Sequence, residues 1–229
     1  MTTRHTVRAF DEALAEVRRD VLTMGRLTRA QLTAAISLLG DPASSDQGVA
    51  DETAIETADA EVDDLEEQIE REVQRILVLR QPMADDLRSL LSCDRIATDL
   101  ERIADHAKSI AHRATRIREH GLPLDLSRTR QLAERVLDQV DAVLAAIAAG
   151  DAAAARIVWQ QDEAIDRLFE DTFNMHLATL CQTPVTAPGC THALFIAKAL
   201  ERIGDHCTNI AEDLVYWLTA ERLRKRHAN

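Results

Sequence analysis

The chain has 229 residues, of which 46% are apolar, 29% charged and 3% aromatic, and its formal net charge is −12. That balance is too apolar for a disordered chain and too poor in aromatics, Gly and Pro for an all-β fold with its frequent turns. The negative charge disfavours nucleic acid and anionic membrane surfaces as partners and favours cations as ligands.

The first residues, MTTRHTVRAFDEALAEV, lack the apolar core of a secretory signal. The most apolar stretch, Ala142 to Ala149, is far shorter than the ~20 residues of a membrane span. A soluble, cytoplasmic protein without direct membrane insertion is the expectation. Cys93, Cys181, Cys190 and Cys207 have neither CxxC nor zinc-finger spacing, and they read as reduced, mostly structural thiols.

Breakers are sparse: Gly40-Asp41-Pro42, Gln81-Pro82, Gly121-Leu122-Pro123, Gly150-Asp151 and Pro184 through Gly189. Between them lie six stretches rich in Ala, Leu, Arg, Glu and Gln, which predict six helices and no strand. Pro82 suits the first position of the third helix, with Asp85 and Asp86 in its first turn. Ser127 and Asp151 read as N-caps, and Gly121 and Gly150 as C-terminal stops. The Ala-rich segment from Ala142 to Ala155 reads as a close-packed helix pair around a turn.

The third and sixth helices carry the clearest pattern. Ile96, Leu100, Ile103, Ala107, Ile110, Ala114 and Ile117 alternate spacings of four and three, a heptad seam. Ile196, Leu200, Ile203, Cys207, Ile210, Leu214 and Trp217 repeat it one hundred positions later. In the second and fifth helices Val62-Leu65-Ile69 corresponds to Ile165-Leu168-Thr172. A helix reaching roughly 50 Å holds such a stripe only against other long helices. Polar positions repeat as well: Leu100-Glu-Arg-Ile-Ala-Asp-His106 matches Leu200-Glu-Arg-Ile-Gly-Asp-His206. The expected fold is all-α, two tandem antiparallel three-helix bundles related by internal duplication. The first covers residues 1–121 and the second 122–229, with a hinge near Gly121 to Pro123.

Within that frame Glu101 and Asp105 share one face of the third helix, and Glu201 and Asp205 one face of the sixth. Asp59 with Asp63, and Asp162 with Asp166, flank the seams of the preceding helices. If neighbouring helices pack, four carboxylates converge in each bundle, at a cost that protons or cations relieve. Hard oxygen donors of this kind suit iron, manganese, magnesium or calcium. Two other readings compete: Arg102 and Arg202 as partners in a salt-bridge network, or a set of solvated helix faces. His106 and His206 stand as candidates for supporting such ligands. Catalytic signatures such as GxSxG, HExxH, a phosphate loop or the Glu-x-x-His of di-iron bundles are absent from the sequence.

The stretches Asp99-Leu-Glu-Arg-Ile-Ala-Asp-His106 and Leu200-Glu-Arg-Ile-Gly-Asp-His-Cys-Thr-Asn-Ile-Ala-Glu212 resemble the PhoU family of phosphate-signalling proteins. Arg80-Gln-Pro-Met-Ala-Asp-Asp-Leu-Arg88 and Ala211-Glu-Asp-Leu-Val-Tyr-Trp217 reinforce the resemblance, which runs from about Phe10 to Arg226. It implies a cytoplasmic homodimeric regulator and not an enzyme, linking the ATPase subunit of the phosphate-specific ABC transporter to a sensor histidine kinase. Such a regulator holds the phosphate-starvation response off when phosphate is plentiful. The resemblance also implies multinuclear iron or zinc, with manganese or magnesium as alternatives, and no organic cofactor. The implied ligands are Glu101, Asp105, Glu201 and Asp205, with Asp59, Asp63, Asp162 and Asp166 opposite. Ala104 replaces the more usual Gly204, so the first bundle is expected to pack more loosely. A carboxylate-bridged metal enzyme and a metal-free helical scaffold are the alternative readings.

Overall fold

The computed structural model describes residues 2–40, 47–121 and 124–223. The breaker residues Asp41 and Pro42, and the hinge residues Leu122 and Pro123, lie outside them. Among these residues seven α-helices run in order: α1 Thr2–Ser37, α2 Gln47–Arg80, α3 Ala84–His120, α4 Ser127–Ala149, α5 Ala152–Gln160, α6 Asp162–Gln182 and α7 Ala187–Thr219. A 3-10 turn, Pro184–Thr186, precedes α7. There is no strand among the described residues.

Helices α1, α3, α7 and α4 form a central group. Helix α2 lies outside it against α1 and α3, and α5 and α6 lie outside it against α4 and α7. The seams explain this arrangement. Every apolar seam residue of α3 from Ile96 to Ile117, and of α7 from Ile196 to Leu214, is buried. Each large aliphatic side chain removed from water in this way contributes about 1.5–3 kcal/mol. Helices α3 and α7 cross the junction of the repeats antiparallel, with Arg95 bonded to Asp213, Asp99 to Asn209, and Arg113 stacked over Phe195. Arg29 and Asp141 tie α1 to α4 at 2.8 Å.

Local sequence sets several of the boundaries. Gly121 and Gly150 end α3 and α4 in the left-handed region, at φ 58° and 61°. There a side chain would be strained. Asp151 caps α5, its carboxylate accepting from the N–H groups of Ala153 and Ala154. Helix α4 instead begins at Ser127, whose N–H donates to Asp125 Oδ1, so the acid two residues earlier supplies the acceptor expected of the serine. Pro82 is not the first residue of α3 but lies in the linker, directly after Gln81 leaves α2 at φ 48°. A proline just past a left-handed helix end prevents continuation. Pro188 and Gly189 lie inside the first turns of α7 rather than in a breaker loop.

Two expectations about the repeats change. The middle helix of the second repeat is broken at Gln161, whose N–H turns back to Val158 O, so the repeat has α5 and α6 where the first has α2 alone. The looser first bundle is not found either. Ala104 and Val62 are both fully buried. Their counterparts are Gly204 and Ile165, and a Cβ at Gly204 would stand 3.2 Å from Ile165 Cγ2. The first repeat gains a methyl at Ala104 and loses a methylene at Val62, which conserves volume.

Candidate functional site

The grooves between α2 and α3, and between α6 and α7, hold the eight carboxylates singled out in the sequence. In the first, Asp59 is buried and fully engaged. Its Oδ2 lies 2.5 Å from Lys108 Nζ, and its Oδ1 accepts from Gln31 Nε2 at 3.1 Å. Gln31 also donates toward the carbonyls of Ile55 and Ala104, which fixes it across three helices. This ion pair raises the Lys108 ammonium above its ordinary pKa.

Next to it the charges are less well balanced. The Glu101 carboxyl is pushed up to about 7, by burial first and then by Asp105 and Glu66, against the pull of Arg102. Asp63 is raised by burial, then by Asp59 and Asp105. Arg102 Nε lies 3.6 Å from Glu101 Oε2, and Thr98 Oγ1 donates to Glu66 Oε1 at 3.1 Å. The first groove therefore brings Asp59, Asp63, Glu101 and Asp105 within electrostatic range of one another, with Glu66 as a fifth acid.

The second groove is built differently. Asp162 is buried at the start of α6, where the helix dipole favours an acid, and accepts from Thr208 Oγ1 at 3.0 Å. Lys198 Nζ lies 2.6 Å from Glu201 Oε2, an ion contact outside hydrogen-bonding geometry, and 5.2 Å from the Phe169 ring centroid. Arg202 reaches both Glu201 and Asp205, at 4.0 and 3.8 Å. Asp166 is exposed. Gln139, the counterpart of Gln31, is buried against Gly204 with neither end of its amide hydrogen-bonded.

Among the described residues no group of three or more His, Cys, Asp or Glu side chains is placed to hold a metal ion. The donor chemistry suits a hard cation, but protein groups already engage at least four of the eight carboxylates. Asp59 is held by lysine and glutamine, Asp162 by threonine, Glu201 by lysine and Asp205 by arginine. The residues as folded do not fit a ready-made metal cage. Arg102 and Arg202 do approach the motif acids, as the salt-bridge reading expected.

The fold brings His106 and His206, the candidates for supporting the carboxylates, to each other. Their rings meet across the repeat junction, with centroids 5.7 Å apart. His206 Nδ1 lies 2.8 Å from Asp99 Oδ1. Burial, then His206, lowers the His106 pKa. A cleft of about 460 Å³ opens beside this junction, walled in part by Asp94, Asp99, Glu212 and Asp213. Three cysteines are buried and Cys181 is exposed, all four free. Glu66, Lys108, Lys198 and Thr208 were missed in the sequence. Lining up the two repeats would have singled out the lysines and threonines.

The fold and these paired grooves define a class: an all-helical protein of two duplicated bundles joined along their motif helices, with an acidic groove on each. Comparison with known proteins specifies it further. The PhoU domain matches residues 21–114 and again 129–214. The chain belongs to the PhoU family. It is 37% identical over 222 residues to a protein of Caulobacter vibrioides named phosphate-specific transport system accessory protein PhoU homolog, covering 96% of this chain and 94% of that one. The crystal structure of PhoU from Pseudomonas aeruginosa superposes with a TM-score of 0.87 at 32% identity, over 93% of this chain and 100% of that one. The phosphate transport system regulatory protein PhoU from Streptococcus pneumoniae gives 0.83 at 27% identity, over 94% and 99%. No helix among the described residues is long and apolar enough to cross a membrane.

Proposed function

We propose that this protein is a cytoplasmic regulatory adaptor of phosphate-specific uptake. As a homodimer it docks on the ATPase subunit of the transporter and on a sensor histidine kinase, and holds the starvation response off when phosphate is plentiful. It does so by binding and not by turnover. The observation that supports this most is the match of both repeats, over nearly the full chain, to accessory proteins of the phosphate-specific transport system. The net charge of −12 adds a physical reason, since an acidic helical surface speeds and orients docking on basic partner surfaces.

A carboxylate-bridged metal enzyme gains no support from the grooves, where basic and hydroxyl side chains already contact the acids. A scaffold acting without metal fits those contacts better. Iron, zinc, manganese or magnesium at Glu101, Asp105, Glu201, Asp205 and the opposing aspartates would have to displace them. Co-purification of the tagged protein with the transporter ATPase tests the adaptor reading. Retention that weakens steeply with salt is expected. No retention at low salt, with both proteins folded, would sink it.

A further inference from the structure

The two grooves differ by an exchange visible only when the repeats are laid over each other. At the position occupied by Thr98 in α3, α7 has Lys198; at the position of Lys108, α7 has Thr208. At these two positions each motif helix thus carries one lysine and one threonine, in opposite order. All four side chains touch acids. Lys108 holds Asp59 and Thr208 holds Asp162, which correspond. Lys198 reaches Glu201, its own helix's motif acid, while Thr98 holds Glu66. The counterpart of Glu66 is Phe169, and the ammonium of Lys198 lies over that ring. The ring accepts the lysine where a fifth carboxylate would otherwise stand.

We propose that Lys108 and Lys198 are the resident cations of the two carboxylate grooves, tethered ammonium groups that occupy the electrostatic role of a metal ion in this chain. Paired acids close to an apolar seam need a counter-charge. The fold supplies it covalently in each repeat, from a different position on the motif helix. An ammonium is a compact point charge with three donors, suited to bridging carboxylates that share no fixed geometry. It also raises the cost of placing a second cation in the same groove by direct repulsion. The exchange predicts different consequences for the two repeats. Lys108 serves the aspartate contributed by the outer helix and leaves Glu101 facing Asp105 and Glu66 with Arg102, at 3.6 Å, as its nearby cation. Lys198, with Arg202, covers the motif pair itself. This inference rests on the contacts within each groove and stands apart from the adaptor reading.

The test uses threonine, the residue each position carries in the other repeat. Full-length protein, K108T, K198T and the double variant are dialysed separately against zinc, manganese and anaerobic iron(II). Metal content is then read by mass spectrometry, with circular dichroism as a check on folding. The parent protein is expected to retain no stoichiometric metal. K198T, altered at a partly exposed lysine, is expected to stay folded and to retain metal that disappears again in K198T combined with E201Q. Its melting temperature should then rise by roughly 5–10 °C in excess zinc, while the parent's does not move. Stoichiometric metal in the parent, lost on E101Q or E201Q, would overturn the proposal. Folded lysine-to-threonine variants that take up none of the three metals would overturn it equally.

Discussion

The imidazoles of His106 and His206 face each other across the junction of the repeats, 5.7 Å between centroids and 33° between planes. They occupy the same position in the two motifs, so they lie close to the line about which the duplicated bundles are related. The contacts on either side are not symmetric. Asp99 bonds His206, but the counterpart of Asp99 is Ala199, and His106 has no equivalent carboxylate from that position. Arg95 pairs with Asp213, whereas the matching pair is Arg113 over Phe195. Duplication set the geometry, and later divergence placed the charge pairs mainly at one end.

That junction gives a pH dependence of definite sign. Burial and His206 place the folded pKa of His106 below its unfolded value of 6.5. The unfolded chain then binds more protons between those values, and stability falls as pH drops through about 6.5. Replacing His106 with Asn should flatten this acid limb in urea titrations. An unchanged limb would show that the ring is not desolvated as described.

Glu101 acts in the opposite direction. Its folded value of about 7 lies above its unfolded 4.5, so the native state holds the extra proton between them. Stability contributed by the neutral acid is lost as pH rises through 7. Glu101→Gln should therefore raise the urea midpoint at about pH 8 and change it little at about pH 5. Equal effects at both would argue for lost packing and not for charge.

Asp59 depends on Lys108. Truncating Lys108 to Ala leaves a buried carboxylate without its counter-charge, at an expected cost of about 2–3 kcal/mol, lessened by the lysine's own exposure. Adding Asp59→Asn should recover about half of that, because the orphaned charge is then gone. Chemical denaturation of the two variants decides it, and additive losses would contradict the pairing.

Gly204 and Ile165 form a volume pair whose first-repeat version is Ala104 and Val62. Gly204→Ala alone sets about 1 kcal/mol of helix propensity against a methyl that meets Ile165 at 3.2 Å, and a net loss of up to about 1 kcal/mol is expected. Combined with Ile165→Val, which removes Cδ1, 3.6 Å from the same Cβ, and gives the remaining Cγ2 room to shift, it should recover part of that loss. A double variant no better than the single would show that the two positions are not coupled.

How much of this was legible follows from range. The α3 and α7 seams were readable because Ile, Leu and Ala recur at spacings of three and four, and burial against a long neighbour is what such spacing requires. Repetition of Glu-Arg-Ile and Asp-His showed the duplication. The break at Gln161, a backbone turn onto Val158 O, was not readable, for Gln is an ordinary helix former and neither Gly nor Pro marks the place. Nor was the Lys108 contact, which crosses from α3 to α2 and needs the register between helices. Lys198 was within reach, three residues before Glu201 on one helical face.

The most direct measurement is expression of a phosphate-scavenging reporter in a strain lacking this protein, grown with abundant phosphate. The adaptor account predicts derepression there, and repression restored when the chain is supplied from a plasmid. A reporter that stays silent in the deletion strain and still responds normally to starvation would contradict it.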